Sequence, residues 1–368
     1  MVMDRINIVF VMPELNMGGS ERVIVNIINN LDRELFSIKL ILFRADGALV
    51  DELSNDINIY NLNIYSVKRG MFALIKKLYQ LKPDIVFGGI GHLNISLAIF
   101  IPLLKYLLPY TKFVARQSNV LSINNKQEKY PSIHEWLYKK VYTNYHKIIC
   151  QSNYMQKDLV TNYSFPIDKT IVISNPIDIK RINQLSNISI DYPFSNDYIN
   201  LISVGQFRYQ KRQDLLLETF AKLDNNYTLT LIGDGANRGE LEALAKELKI
   251  IDRVAFLGHQ KNPYAYIKQA DIFILTSEFE GFPNVVLEAN LLGLPVIAFE
   301  TIGVDKWVIE DGFNGVLVPF PDTKELANRI QNIKLDQFNT KKITKSTIEK
   351  YSIDSIIKIY KKILRDIL

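Results

Sequence analysis

Glu280 and Glu288 stand eight positions apart in Glu278-Phe279-Glu280-Gly281-Phe282-Pro283-Asn284-Val285-Val286-Leu287-Glu288-Ala289, directly after the apolar run DIFILTS. Gly281 permits a tight bend after that strand-like run. Pro283 suits the first turn of a helix predicted to run from Val285 to Leu292. Glu280 then lies in a loop and Glu288 more than one turn into the helix, with free backbone N–H groups at the helix start between them. Carboxylates accept hydrogen bonds from hydroxyls, while N–H groups at a helix start donate to phosphate oxygens. The layout suits a ligand with hydroxyls at both ends and phosphate in the middle, as in a nucleotide sugar. The plainer alternative is a solvated loop glutamate and a helix-surface charge.

A second candidate is the loop Asn16-Met17-Gly18-Gly19-Ser20, between a first strand and a first helix. Glycines allow close backbone approach, Ser20 is placed to cap the helix, and the helix start attracts an anion. The spacing is neither GxGxxG nor GxxxxGK[ST], so a glycine-permitted turn with a serine cap is an equal reading. His134, His146 and His259 have no ligand spacing. Cys150 follows two isoleucines in a strand-like run and reads as an inert core thiol. No dense His/Asp cluster or DxD triplet stands at a strand end.

These residues need a scaffold, and the hydrophobic pattern predicts one. INIVFVMP, FSIKLILF, DIVFGG, KFVAR and KIICQS are strand-length apolar runs. Between them lie stretches with helical spacing, such as MFALIKKLYQL and IHEWLYKKVYTNY. Strands apolar on both faces, alternating with helices, predict a doubly wound α/β fold with a parallel sheet. After a polar, irregular connector at Asn183–Tyr198, the alternation begins afresh with INLISVGQ, YTLTLIGDG, RVAFLG, DIFILTS, PVIAFE and GVLVPF. Two Rossmann-like domains facing each other across a cleft are expected, 1–178 and 179–348. The amphipathic end, 349–368, is expected to form a helix packing back toward the first domain.

The 368 residues exceed one ordinary core, and 48% hydrophobic against 23% charged residues excludes the disordered class. One cysteine and no recognisable leader lead to the expectation of a cytoplasmic protein. The stretch Ile95–Tyr110, interrupted by Pro102 and Lys105, is too short for a membrane span. The net charge of +5 is uneven, because residues 60–160 alone carry 14 basic against 4 acidic side chains. That window implies anionic partners, and with its apolar stretch it is expected to touch the inner face of an anionic membrane. Trp136 and the nearby tyrosines read as helix packing, or as an interfacial helix with their lysines. The window has no nucleic-acid motif, so no nucleic-acid partner is expected.

The segment from Glu280 to Glu288 resembles the Glu-x7-Glu motif of the retaining glycosyltransferases of family 4, which have the GT-B fold of two Rossmann-like domains. Gly18-Gly19-Ser20-Glu21-Arg22 is similar to that family's glycine loop, Ser174-Asn175-Pro176-Ile177-Asp178 to its inter-domain segment, and Gly233-Asp234-Gly235 to its GxG turn. Val254–Gly258 and Gly293–Val296 also match, in the family's order.

The resemblance implies that domain 1–178 binds the acceptor and domain 179–348 the nucleotide-sugar donor, with Glu280 on donor-sugar hydroxyls and Glu288 on the ribose. Gly281, Phe282, Asn284 and Val285 would line the diphosphate and sugar, and Gly18 and Gly19 would approach the leaving phosphate. Lys211, in Gly205-Gln206-Phe207-Arg208-Tyr209-Gln210-Lys211, would neutralise the departing nucleoside diphosphate, so that the resemblance implies no catalytic metal or cofactor, which the lack of a DxD triplet fits. Gln206 stands where the family usually has arginine. Either Arg208 supplies that charge from a shifted loop, or Lys211 carries it alone. Many relatives have a histidine after the fourth strand; here the segment reads Arg116-Gln117-Ser118-Asn119. His92, after the preceding strand, is then the candidate histidine on the acceptor or sugar side, with Arg116 and Ser118 beside it. Its plainer reading is a polar loop residue.

The activity so implied is transfer of a hexose or N-acetylhexosamine from a nucleoside diphosphate sugar, UDP-linked by expectation, with retention. The expected acceptor is a saccharide on a polyprenyl diphosphate, in assembly of a surface polysaccharide. The alternatives are a non-catalytic nucleotide-sugar binding subunit and a nucleotide-sugar epimerase.

Overall fold

The computed structural model describes residues 5–16, 18–126, 130–191, 194 and 197–368. Met17 of the glycine loop, residues 127–129 of the basic window, and Tyr192, Pro193, Ser195 and Asn196 of the connector lie outside the described residues. The chain divides into two compact units, Met1–Pro176 with Ile353–Leu368, and Ile177–Ser352.

The first unit holds β1 (Ile6–Met12), β2 (Phe36–Leu42), β3 (Asn58–Asn61), β4 (Ile85–Gly88), β5 (Lys112–Gln117), β6 (Lys147–Cys150) and β7 (Thr170–Val172). They form one parallel sheet in the order β3-β2-β1-β4-β5-β6-β7. Its helices are α1 (Gly19–Asn30), α2 (Val67–Leu81), α3 (Gly91–Leu107), α4 (Leu121–Lys126), α5 (Pro131–Val141) and α6 (Asn153–Tyr163). β1 reads as a continuous apolar run because helices cover both faces of a parallel sheet, so Ile8 through Met12 are all fully buried. The Ile95–Tyr110 stretch is mostly α3, which buries Leu93, Leu97, Ile101 and Leu104 at helical spacing. Among the described residues no helix is long and apolar enough to cross a membrane.

The second unit opens with α7 (Ile179–Ser186), a helix over the start of the anticipated connector. Its strands are β8 (Ile199–Val204), β9 (Tyr227–Ile232), β10 (Val254–Phe256), β11 (Ile272–Leu275), β12 (Val296–Glu300) and β13 (Gly315–Pro319), parallel in the order β10-β9-β8-β11-β12-β13. Its further helices are α8 (Gln213–Phe220), α9 (Arg238–Glu247), α10 (Tyr264–Ile267), α11 (Asn284–Leu291), α12 (Thr323–Asn332) and α13 (Thr340–Tyr351). Leu201, Ile272 and Ile274 pack on one face with Leu216 and Phe220, while Ile202, Phe273 and Leu275 pack on the other with Val286 and Leu287. That alternation buries both faces.

The last helix, α14 (Ile353–Asp366), belongs to the first unit. Ile356, Ile357, Tyr360 and Leu364 join the core that holds Phe10, Ile24 and Phe87. Lys361 also pairs with Asp32 just beyond α1. The residues from 349 to 368 are thus split, the end of α13 staying with the second unit and α14 with the first.

Candidate functional site

In the second sheet the strand order reverses between β8 and β11. Open α/β sheets bind ligands beyond the carboxyl ends of their strands at such a reversal. β8 leads into Gly205–Lys211, and β11 leads into Thr276–Glu280. The two loops are stitched together: Gln210 Nε2 donates to Phe279 O at 2.8 Å, the Glu278 N–H to Gln210 O at 2.9 Å, and Thr276 Oγ1 to Lys211 O at 3.1 Å.

This stitching brings together two residues 69 positions apart, Lys211 and Glu280. Lys211 Nζ lies 2.5 Å from Glu280 Oε1, and Ser277 Oγ donates to the same oxygen at 2.6 Å. Glu280 is 7% exposed, so its charge needs these partners; removing one would strand a buried carboxylate. Its backbone is held too, by donation of the Glu280 N–H to Ile302 O at 2.7 Å. Gly303, at φ +79°, permits that approach, because a Cβ there would sit 2.0 Å from Glu280 O. Thr301 Oγ1 ties the same turn to Ser277 O at 3.0 Å.

Three cations follow β8, in different settings. The Lys211 stem packs over Gly205, with Cε 3.6 Å from where a Cβ would stand. Arg212 is forked onto Asp214, its Nη2 2.8 Å from Oδ2, and that partner holds its pKa above the ordinary value. Arg208 is exposed and donates from Nη2 to Gln206 Oε1. Gly233, at φ +142°, brings its turn against Gly205 O, where a Cβ would be 1.9 Å away.

α11 starts at Asn284 with Pro283 just before it, so the proline precedes the first turn instead of sitting in it. Gly281, Phe282, Asn284 and Val285 are all partly buried around this helix start. Glu288 is in the second turn, half-buried, and accepts from Tyr264 Oη at 3.3 Å. The structure therefore brings Glu280, Lys211, Gly205, Gln206 and Arg208 together at two joined strand ends, with Glu288 on the helix that follows.

The first-unit candidates fare differently. Gly18, and not Ser20, is the N-cap of α1, and Ser20 lies inside the helix. Glu21 folds its carboxylate back over the same helix start, where a Cβ on Gly18 would fall 2.2 Å from Glu21 Oε2. Burial pushes the Glu21 carboxyl above its usual range, against the opposing pull of its own backbone N–H. His92 is exposed in the first turn of α3. Arg116 must be reassigned. It is fully buried in a central strand, its Nη2 2.5 Å from Asn175 Oδ1, where no saccharide reaches it. Burial lowers its pKa, opposed by Tyr360 of α14 and by Glu21. Ser118, just past β5, is 7% exposed.

Of the remaining titratable groups, burial pushes the Cys150 thiol up to about 12, with the nearby Asp158 charge adding to it. His146 is lowered to about 4 by burial and neighbouring lysines, and its Nδ1 accepts the Phe113 N–H at 2.9 Å. Trp136 is exposed and packs no core, whereas Tyr138, Tyr142 and Tyr145 stack edge to face inside the unit. No group of three or more His, Cys, Asp or Glu able to hold a metal occurs among the described residues. Ser277, Tyr264, Gln210 and Gly303 escaped the sequence reading, although Ser277 is a polar residue closing the apolar run DIFILTS.

Two family models account for most of the chain: Glycosyltransferase Family 4 over residues 17–181 and Glycosyl transferases group 1 over residues 186–351. The chain belongs to these glycosyltransferases. This glycosyltransferase is 26% identical to the GalNAc-alpha-(1->4)-GalNAc-alpha-(1->3)-diNAcBac-PP-undecaprenol alpha-1,4-N-acetyl-D-galactosaminyltransferase of Campylobacter jejuni, over 89% of each chain. It is 29% identical to an uncharacterized glycosyltransferase of Methanocaldococcus jannaschii, over 64% of this chain but only 60% of that relative's length. Among solved structures, Anabaena HepE in complex with UDP superimposes with a TM-score of 0.80 at 20% identity, covering 98% of this chain and 100% of that one. The glycosyltransferase thus has the GT-B fold, with two parallel-sheet domains.

Proposed function

We propose that the enzyme transfers a hexosyl or N-acetylhexosaminyl group from a UDP-sugar to a hydroxyl of a polyprenyl-diphosphate-linked saccharide, with retention at the anomeric carbon. The observation that carries this reading is the part-buried Lys211–Glu280 pair at the β8/β11 strand ends, with Glu288 eight residues on in α11. Glu280 accepts from donor-sugar hydroxyls and Glu288 from the ribose. Lys211, Arg208 and the N–H groups opening α11 hold the charge that develops on the leaving diphosphate, without a resident metal. Electrostatic stabilisation of this kind is often the largest catalytic contribution. A donor phosphate oxygen takes the acceptor proton as the new bond forms on the same face. The UDP complex of HepE and the undecaprenol-linked substrate in the name of the Campylobacter relative support donor and acceptor class.

Peripheral contact with an anionic membrane is part of the proposal. α2 presents Lys68, Arg69, Phe72, Lys76 and Tyr79 to solvent, and α3 presents Ile99, Leu103 and Tyr106 at helical spacing. Such a mixed basic and apolar face suits an interface of lipid headgroups and chains.

The test is a thermal-shift panel of nucleoside diphosphates and their sugars, followed by transfer assays. A ligand at a hundredfold excess over Kd stabilises the fold by about 2.7 kcal/mol. UDP and one UDP-sugar are expected to raise Tm in the wild type and not in Glu288→Ala. Lys211→Ala is expected to lower kcat by about a hundredfold or more. No shift with any nucleotide in a folded sample sinks the donor assignment. Binding without turnover favours a non-catalytic binding subunit, the reading that Gln206 motivates.

A further inference from the structure

The strands of the first unit are parallel, so the carboxyl ends that carry the glycine loop lie at one edge and the amino ends at the other. At the amino ends of β5, β6 and β7 stands a basic group that none of the donor residues accounts for. Lys105, near the end of α3, donates from Nζ to Asn144 O at 2.8 Å, and Lys169 Nζ donates to Thr143 O at 3.1 Å. Two ammonium groups from different elements thus converge on successive carbonyls of one turn. Asn144 Nδ2 pins that turn to Ala98 O of α3 at 3.1 Å. Lys112 opens β5, next to Phe113. Phe113 holds His146 twice: the His146 N–H donates to Phe113 O and the Phe113 N–H to His146 Nδ1, each at 2.9 Å. The two rings also stack, with 6.0 Å between their centres.

An ammonium has three N–H groups, so Lys105 and Lys169 each keep two beyond the carbonyl they hold. Because His146 Nδ1 accepts, the neutral ring carries its proton on Nε2 and offers one more donor. Burial, Lys105, Lys112 and Lys169 together hold His146 down at about 4, and burial, Lys169 and Lys112 hold Lys105 below its ordinary value. No carboxylate among the described residues offsets these charges at either group. Lys147, beside His146 on β6, is turned to Asp168 O at 2.6 Å. Donors from three elements suit an anion with oxygens in several directions. A carboxylate presents two oxygens in one plane, whereas a phosphate presents at least three around a tetrahedral centre. We propose that Lys105, Lys112, Lys169 and His146 Nε2 form a site for a phosphate dianion, either free phosphate or a monoester such as the headgroup of phosphatidic acid. The site is at the opposite strand ends from the glycine loop and does not depend on the proposed glycosyl transfer. A dianion bound there favours the imidazolium, so phosphate should make His146 easier to protonate.

The experiment follows the ring resonances of the four histidines in the full chain, 13C-labelled at histidine, during titration with inorganic phosphate against sodium chloride at matched ionic strength. His146→Gln identifies its own resonance. Only that resonance is expected to move and saturate, and the His146 pKa should rise from about 4 to about 5 or above. Lys105→Gln combined with Lys169→Gln should weaken phosphate binding by about tenfold or more. Lys68→Gln, which removes an exposed cation of α2, should leave it unchanged. Cosedimentation with vesicles of phosphatidic acid or of phosphatidylglycerol separates the two sources. Tighter binding to phosphatidic acid, lost in the double variant, assigns the site to a lipid headgroup. Equal binding to both lipids, with the phosphate response present, assigns it to a soluble phosphate. A still His146 resonance, a shift shared by all four histidines, or a response that survives the double variant overturns the site. The thermal shift with UDP is read on the same samples. It should persist in the double variant, and its absence in the wild type is a failure of the donor reading, separate from the phosphate result.

Discussion

Glu280 is a buried carboxylate that a loop must hold in place, and the residue that makes this possible is remote from it in sequence. Gly303 accepts a backbone conformation and a 2.0 Å approach that no side chain tolerates. Gly303→Ala should therefore push the Thr301–Val304 turn away from Glu280. The strain should cost about 1–3 kcal/mol of stability. A displacement of Glu280 by ~1 Å should lower kcat by about a hundredfold. Urea unfolding and steady-state kinetics check the two effects. A variant of unchanged stability and rate would mean that the turn does not position the carboxylate. The carboxylate itself was legible in the sequence, because glycine and proline bracket it between an apolar run and a helical one. Its partnership with Lys211 was not, since the two stand 69 positions apart and no local pattern announces their contact. Arg116 was misread for a related reason: a charged residue is ordinarily exposed, and its burial depends on Asn175 and on a helix some 240 positions further along the chain.

At the scale of elements, the sequence announced every inner strand and, in the second sheet, the edge strands β10 and β13 as well. β1, β2, β4, β5, β8, β9, β11 and β12 are apolar runs because both faces are covered. β3 and β7 passed unnoticed because they are edge strands of four and three residues, and β3 is largely exposed. A continuous apolar run is demanded only of strands covered on both faces, and a short edge strand is not. The helices α2 and α3 pose the reverse problem. Their buried faces explain the helical spacing, yet Phe72, Leu103 and Tyr106 remain outside. If that surface meets anionic lipid, exchanging Lys68 and Lys76 together for glutamate should weaken binding to phosphatidylglycerol vesicles by about tenfold or more, at ~1 kcal/mol per basic residue. Cosedimentation at low and high salt checks it, because screening should weaken the wild-type interaction too. Equal binding of wild type and variant, or equal binding to neutral phosphatidylcholine, removes the membrane from the account.

For the molecule as a whole, the chain leaves the first unit at Pro176 and returns to it in α14, so the first unit is completed by a segment that follows the whole second unit in the chain. α14 is amphipathic enough to be read as a helix. Its partner is a matter of which core lacks a cover. The structure answers with Tyr360, whose ring lies 6.3 Å from Phe87, and with Leu364, fully buried among residues of the first core. Leu364→Ala should cost about 2–5 kcal/mol, since the space it fills is walled by strands and by α1 and collapses poorly. The loss should fall on one unit. Hydrogen exchange is expected to accelerate at amides of β1, β4 and α1, while amides of β8, β11 and α11 keep their protection and the UDP-induced shift persists. Uniform loss of protection across both units would show that α14 supports more than the core it is packed in. No change anywhere would show that the first unit holds without it, and the apolar face of α14 would then need another explanation.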